Sequence, residues 1–228
     1  MKAVAFSFPK SICAFFTPLL AFVLLAVHIE ASATTKGLSQ IVTPDVQDEG
    51  ALSLSAQWQS VQIANPYQFQ LELGLTKRLE VAVFQGFEPL ETIFGAELAL
   101  IQKEPYLLSV GMINWSTRGG RPQPFIEAGY YLEHAKFIAG AIQVDTRTEA
   151  VLGIAYDFNK RWRAQVDFQS GAQNFFTLGF TCNVTDNFQF NPAIYFSNNH
   201  PNVVSGYIVF TYTLPVWGHK SAEPSSGK

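Results

Sequence analysis

Phe69-Gln70-Leu71-Glu72-Leu73-Gly74-Leu75 alternates large apolar residues with polar or very small ones. Successive side chains of a strand point to opposite faces. Phe69, Leu71, Leu73 and Leu75 therefore share one surface, and Gln70, Glu72 and Gly74 share the other. The same pattern recurs on both sides of this stretch. Upstream, Leu52, Leu54, Ala56 and Trp58 oppose Ser53, Ser55, Gln57 and Gln59. Downstream, Trp162, Ala164, Val166 and Phe168 oppose Arg163, Gln165, Asp167 and Gln169. Hardly any stretch has the period of a helix. Breaks rich in Gly, Pro, Asn and Asp separate the segments, as turns require.

The spacing predicts twelve strands: 51–59, 67–75, 79–86, 92–102, 106–115, 125–132, 136–144, 148–158, 162–170, 175–184, 188–197 and 203–214. Ten is the alternative count, because 136–144 alternates poorly. Connections after odd-numbered strands are on average longer and richer in Gly and Pro than those after even-numbered ones. Barrels of the bacterial outer membrane show that asymmetry, with short periplasmic turns and longer outer loops.

Ahead of the strands lies an export address. Lys2 and Lys10 precede an apolar run from Ala14 to Val27, and Ala31-Ser32-Ala33 offers a small-x-small cleavage pattern. The run is short for a membrane-spanning helix, which needs ~20 apolar residues. The expected organisation is a signal peptide (1–33), a periplasmic N-terminal segment (34–50), a transmembrane β-barrel (51–217) and a polar C-terminal tail (218–228). Cleavage after Ala33 leaves Cys182 as the sole cysteine, so no internal disulfide is expected.

Composition narrows the class further. Charged residues make up 14 % of the 228 positions, against roughly 25 % in soluble domains. Aromatic residues cluster near strand ends. Trp58, Tyr67, Phe87, Phe94, Trp115, Phe125 and Phe196 mark one rim, and Tyr106, Phe158, Trp162, Tyr212 and Trp217 the other. Amphipathic rings favour the two membrane interfaces. The net charge of −3 argues against a nucleic-acid partner, which would favour a basic surface. No phosphate-loop, dinucleotide-binding or metal-ligand pattern occurs, so neither cofactor nor metal is expected.

A sheet in lipid closes into an all-β, antiparallel, up-and-down barrel, because open edges would leave backbone groups unpaired, and its apolar set then faces outward. The inward set then contains Glu72, Glu80, Glu97, Glu127, Glu149 and Asp167, with Arg163 and Lys136 as the cations. Either these groups form an interior hydrogen-bonded network or they line a water-filled path that favours cations. Two further readings stand beside a pore. One is a lipid hydrolase using His200, close in sequence to Ser197 and Ser205, although no complete catalytic constellation is identifiable. The other is an exported soluble barrel that binds an apolar ligand.

Gly37-Leu38-Ser39-Gln40-Ile41-Val42-Thr43-Pro44-Asp45, followed by Asp48-Glu49-Gly50, resembles the entry sequence of uncharacterised, transporter-like outer-membrane β-barrel proteins of Gram-negative bacteria. The architectural resemblance spans Ala51 to Trp217. It implies a location in the cell outer membrane, with outer-membrane lipid and the barrel assembly machinery as partners and small solutes as candidate permeants. The Ser/His motifs of the lipid-hydrolase barrels are not found.

Overall fold

The structure, a computed structural model, describes residues 37–200 and 202–217. The expected signal peptide (1–33) and polar tail (218–228) lie outside the described residues. The expected strands all form: β1 (Ala51–Gln59), β2 (Tyr67–Thr76), β3 (Leu79–Phe87), β4 (Leu90–Lys103), β5 (Tyr106–Ser116), β6 (Gln123–Tyr131), β7 (Ala135–Val144), β8 (Arg147–Asp157), β9 (Trp162–Gln169), β10 (Phe175–Asn183), β11 (Phe188–Ser197) and β12 (Val204–Pro215). Each pairs antiparallel with its sequence neighbours, and β1 pairs with β12 to close the barrel. The weakly alternating β7 is hydrogen-bonded along its length to both β6 and β8, so the count is twelve and not ten.

Closure at the β1/β12 seam is reinforced from inside. Ser53 pairs with Thr213 and Ser55 with Thr211, and in each pair the hydroxyls meet, at 2.9 and 2.7 Å. The chain enters and leaves the barrel at the same end. There Gly50 has φ of +82°, and a Cβ on it would run into the Trp217 backbone. Glycine adopts that left-handed conformation without steric penalty, which lets the start of β1 lie against the end of β12. We call this the terminal end and the opposite one the loop end. Two loop-end connections, Glu88-Pro89 and Asp145-Thr146, are as tight as the turns at the terminal end.

Alternation assigns the two surfaces. Leu71, Leu98, Ile126, Leu152, Ile154, Leu178 and Ile194 are exposed on the outside. Ring contacts run around the terminal end, from Trp162 through Phe180 and Phe190 to Phe210. A soluble barrel would bury this set. Here it is exposed around the outside with aromatic rings near the edges, as a lipid-facing surface requires, and the fold is a transmembrane β-barrel. One rim expectation fails. Phe125 points inward and packs with Leu107, Ile138, Ile142 and Val151. It shares the face of Glu127 two positions on, so its own alternation demands this orientation.

Candidate functional site: the barrel lumen

Inward positions carry two kinds of side chain. On β5 to β8, Leu107, Phe125, Tyr131, Ile138, Ile142, Val151 and Ala155 make an apolar patch. Elsewhere the wall is polar and built largely from small residues, including Ser53, Ser55, Ser109, Thr177, Thr181, Asn191, Ser205, Thr211 and Thr213, all buried. Small side chains on a barrel of this width leave space that must be filled by water or chain.

Chain fills much of it. Residues 34–50 were expected as a periplasmic segment. The described part, from Gly37 to Gly50, instead rises from the terminal end through the lumen. Leu38 and Ile41 are 5 % and 4 % exposed and complete the apolar patch. Each such buried side chain contributes about 1.5–3 kcal/mol. The Leu38 N–H donates to the Ile41 carbonyl at 3.0 Å, folding the segment into a tight turn with Ser39 and Gln40 at its apex. The Asp167 carboxylate caps this turn, accepting the backbone N–H of Ser39 at 2.7 Å and that of Gln40 at 3.2 Å. Gln165 Nε2 donates to Ser39 Oγ at 3.0 Å, and the Tyr195 hydroxyl donates to the Ser39 carbonyl.

Nearer the terminal end, Glu80 accepts the Gln47 N–H at 2.6 Å, and Gln47 Nε2 donates to Ser53 Oγ at 2.7 Å. Asp45 accepts from the Tyr131 hydroxyl and lies 3.8 Å from Lys136 Nζ, which itself sits 4.5 Å above the Tyr131 ring. Four inward glycines complete the fit. A Cβ on Gly153 would stand 2.6 Å from Leu38 and 2.8 Å from Ile41 side-chain carbons. One on Gly129 would stand 2.8 Å from Pro44. Gly179 and Gly74 would collide with Ser39 and with the backbone at Gln47 and Asp48. Glycine at these positions leaves room for the segment, and a side chain at any of them would intrude on it.

The six inward carboxylates are all buried but do not form one cluster. Glu72, Glu80 and Glu97 line a cavity of about 370 Å³ between the segment and the β1–β5 wall. Gln57, Gln59, Gln68 and Gln70 line the same wall, facing Tyr195 and Tyr207. Glu127 lies on β6. Glu149 accepts from Gln169 Nε2 at 2.8 Å and Asn174 Nδ2 at 2.7 Å. Asp167 is committed to the segment. Arg163 joins none of them. Its guanidinium makes a two-pronged pair with Asp157, at 2.7 and 3.2 Å, near the terminal end. Sequence reasoning missed Asp157 because it sits at the last position of β8, where facing is hard to read. It also missed the segment. The available signal was the run of inward glycines and serines, which implies unfilled space.

The catalytic alternative gains no geometry. Ser197 Oγ accepts the backbone N–H of His200 at 3.2 Å, a turn-type contact that leaves the imidazole uninvolved. Ser205 is buried on the inward face of β12. Among the described residues, no group of three His, Cys, Asp or Glu is placed to hold a metal.

No family model matches the chain, and no curated protein does. Solved structures do. A KdgM porin in complex with disordered oligogalacturonate superposes with a TM-score of 0.52 at 9 % identity, covering 71 % of this chain and 98 % of that one. A second KdgM porin structure gives 0.51 at 10 % identity with the same coverage. The chain folds as a porin-type barrel. At these identities the likeness concerns the fold alone, and the lumen has to be read from its own residues.

Proposed function

We propose that the protein is an outer-membrane pore for small cationic or neutral polar solutes. The observation that carries this reading is the distribution of charge along the lumen. Six buried carboxylates face inward. Of the cationic side chains at inward strand positions among the described residues, Arg147 is exposed at the loop-end mouth, and Lys136 and Arg163 sit near the terminal end beside Asp45 and Asp157. Negative charge within low-dielectric walls concentrates cations and repels anions.

The expected export signal, the apolar outer belt and the longer connections after odd-numbered strands support an outer-membrane location with the terminal end toward the periplasm. The porin-type fold supports a channel over an enzyme. The oligogalacturonate bound by the structural neighbour is a polyanion, which this acidic lumen disfavours, so that ligand is not carried over.

The test is the reversal potential of the purified protein in a planar bilayer across a KCl gradient. Cation preference that fades at high ionic strength is expected, because salt screens the lining. Anion preference overturns the charge reading. Absence of conductance leaves a closed, structural barrel.

A further inference from the structure

We propose that the N-terminal segment 37–47 is the resident constriction of this barrel, seated by Asp167 and Glu80, and that it sets both the bore and the charge that a permeant meets. The inference rests on the pore reading above and names the part of the chain that limits it. Three independent features of the structure support it.

The first is the cradle. Gly74, Gly129, Gly153 and Gly179 lie on four separate strands, and a Cβ at each would strike the segment or press on it. An adventitious filling of the lumen would not coincide with missing side chains on four strands. The second is the mode of attachment. Asp167 and Glu80 bind main-chain amides, at 2.7 and 2.6 Å, and so recognise the path of the segment more than its side chains. The third is position. The apex at Ser39 and Gln40 reaches Asp167 and Gln169 near the loop end of β9. The rest descends to the terminal end, where Gly50 is tied to Gly74 at 2.8 Å. The segment thus spans most of the barrel height, and the remaining cavity lies beside it.

A consequence for selectivity follows. While the segment is seated, the amide dipoles of Ser39, Gln40 and Gln47 point their positive ends at two of the six lumen carboxylates. Removing the segment widens the path and uncovers those charges together. Conductance and cation preference should therefore rise jointly, whereas simple widening alone would dilute selectivity.

The experiment combines labelling with electrophysiology in a Cys182→Ser background. Thr177, fully buried on β10 beside Asp167, becomes the reporter as Thr177→Cys. A bulky membrane-impermeant maleimide should label it several-fold faster in the chain lacking residues 37–47 than in the full chain. In planar bilayers the deleted chain should show a several-fold larger conductance and a more cationic reversal potential. Equal labelling with and without the segment overturns the proposal. Faster labelling without any conductance overturns the pore reading, and with it the bore, and leaves the segment only as the occupant of the lumen. Larger conductance with lower cation preference overturns the charge part of the proposal. Should the deleted chain fail to give a heat-modifiable folded band, Asp167→Ala in the full chain serves instead. It should also accelerate labelling of Thr177→Cys, and an unchanged rate overturns the assignment of Asp167 as the seat.

Discussion

The carboxylate of Asp167 on β9 receives the backbone N–H of Ser39 at 2.7 Å, across 128 positions of sequence. Asp167 is 1 % exposed, so this bond and the one from Gln40 replace contacts that water would otherwise make. Removing the acceptor leaves one buried and one part-buried backbone donor behind. Asp167→Ala should lower barrel stability by about 1–3 kcal/mol, the usual cost of orphaned buried groups. Asp167→Asn, which keeps an acceptor oxygen, should lose less. Urea unfolding in lipid vesicles measures both.

The outer belt is tested in the middle of β2. Leu71 is 47 % exposed and faces lipid, while Glu72 beside it is buried. Leu71→Arg places a charge near the bilayer centre and should cost about 2–4 kcal/mol. Glu72→Gln, facing the lumen, should cost much less. Similar losses from the two substitutions would contradict the assigned facing.

Gly153 tests the fit of the segment without changing any of the segment's own residues. A side chain there would press on Leu38 and Ile41, whose carbons lie 2.6 and 2.8 Å from the position of a Cβ. Gly153→Val should destabilise the full chain by about 1–3 kcal/mol through overpacking. In the chain lacking 37–47 the same substitution should be close to neutral. A double-mutant cycle reads the difference as a coupling above about 0.5 kcal/mol.

The charge of the lumen is tested with Glu97→Gln and Glu127→Gln together. Both positions are buried and inward-facing on β4 and β6. Neutralising them should move the reversal potential toward zero in a KCl gradient, with folding retained as judged by the heat-modifiable gel band. An unchanged reversal potential would mean that these two groups lie off the permeation path.

The strand pattern was legible because it is local. A period of two needs only consecutive residues, so all twelve strands, the poorly alternating β7 included, emerge within about two residues of their observed limits. Alternation also sorts the residues into two faces, and the structure buries the face that carries Glu72, Glu80, Glu97, Glu127, Glu149 and Asp167. Where a rim position was judged by residue type instead, as at Phe125, the reading failed.

What the sequence by itself determined is the pattern of the wall: the strand segments, their order and the two faces, one apolar and one carrying the carboxylates, all of which follow from alternation between neighbours. Pairing on both sides of β7 then fixed the count at twelve. What the tertiary structure decided is what occupies the space inside. Segment 37–50 has no strand period, and nothing local says whether it lies below the barrel or within it. Its place depends on Gly74, Gly129, Gly153, Gly179, Glu80 and Asp167, which lie on β2, β3, β6, β8, β9 and β10 and meet only once the barrel has closed. The fate of Arg163 is of the same kind. Its partner, Asp157, is fixed by the β8/β9 register and not by the count of carboxylates in the lumen.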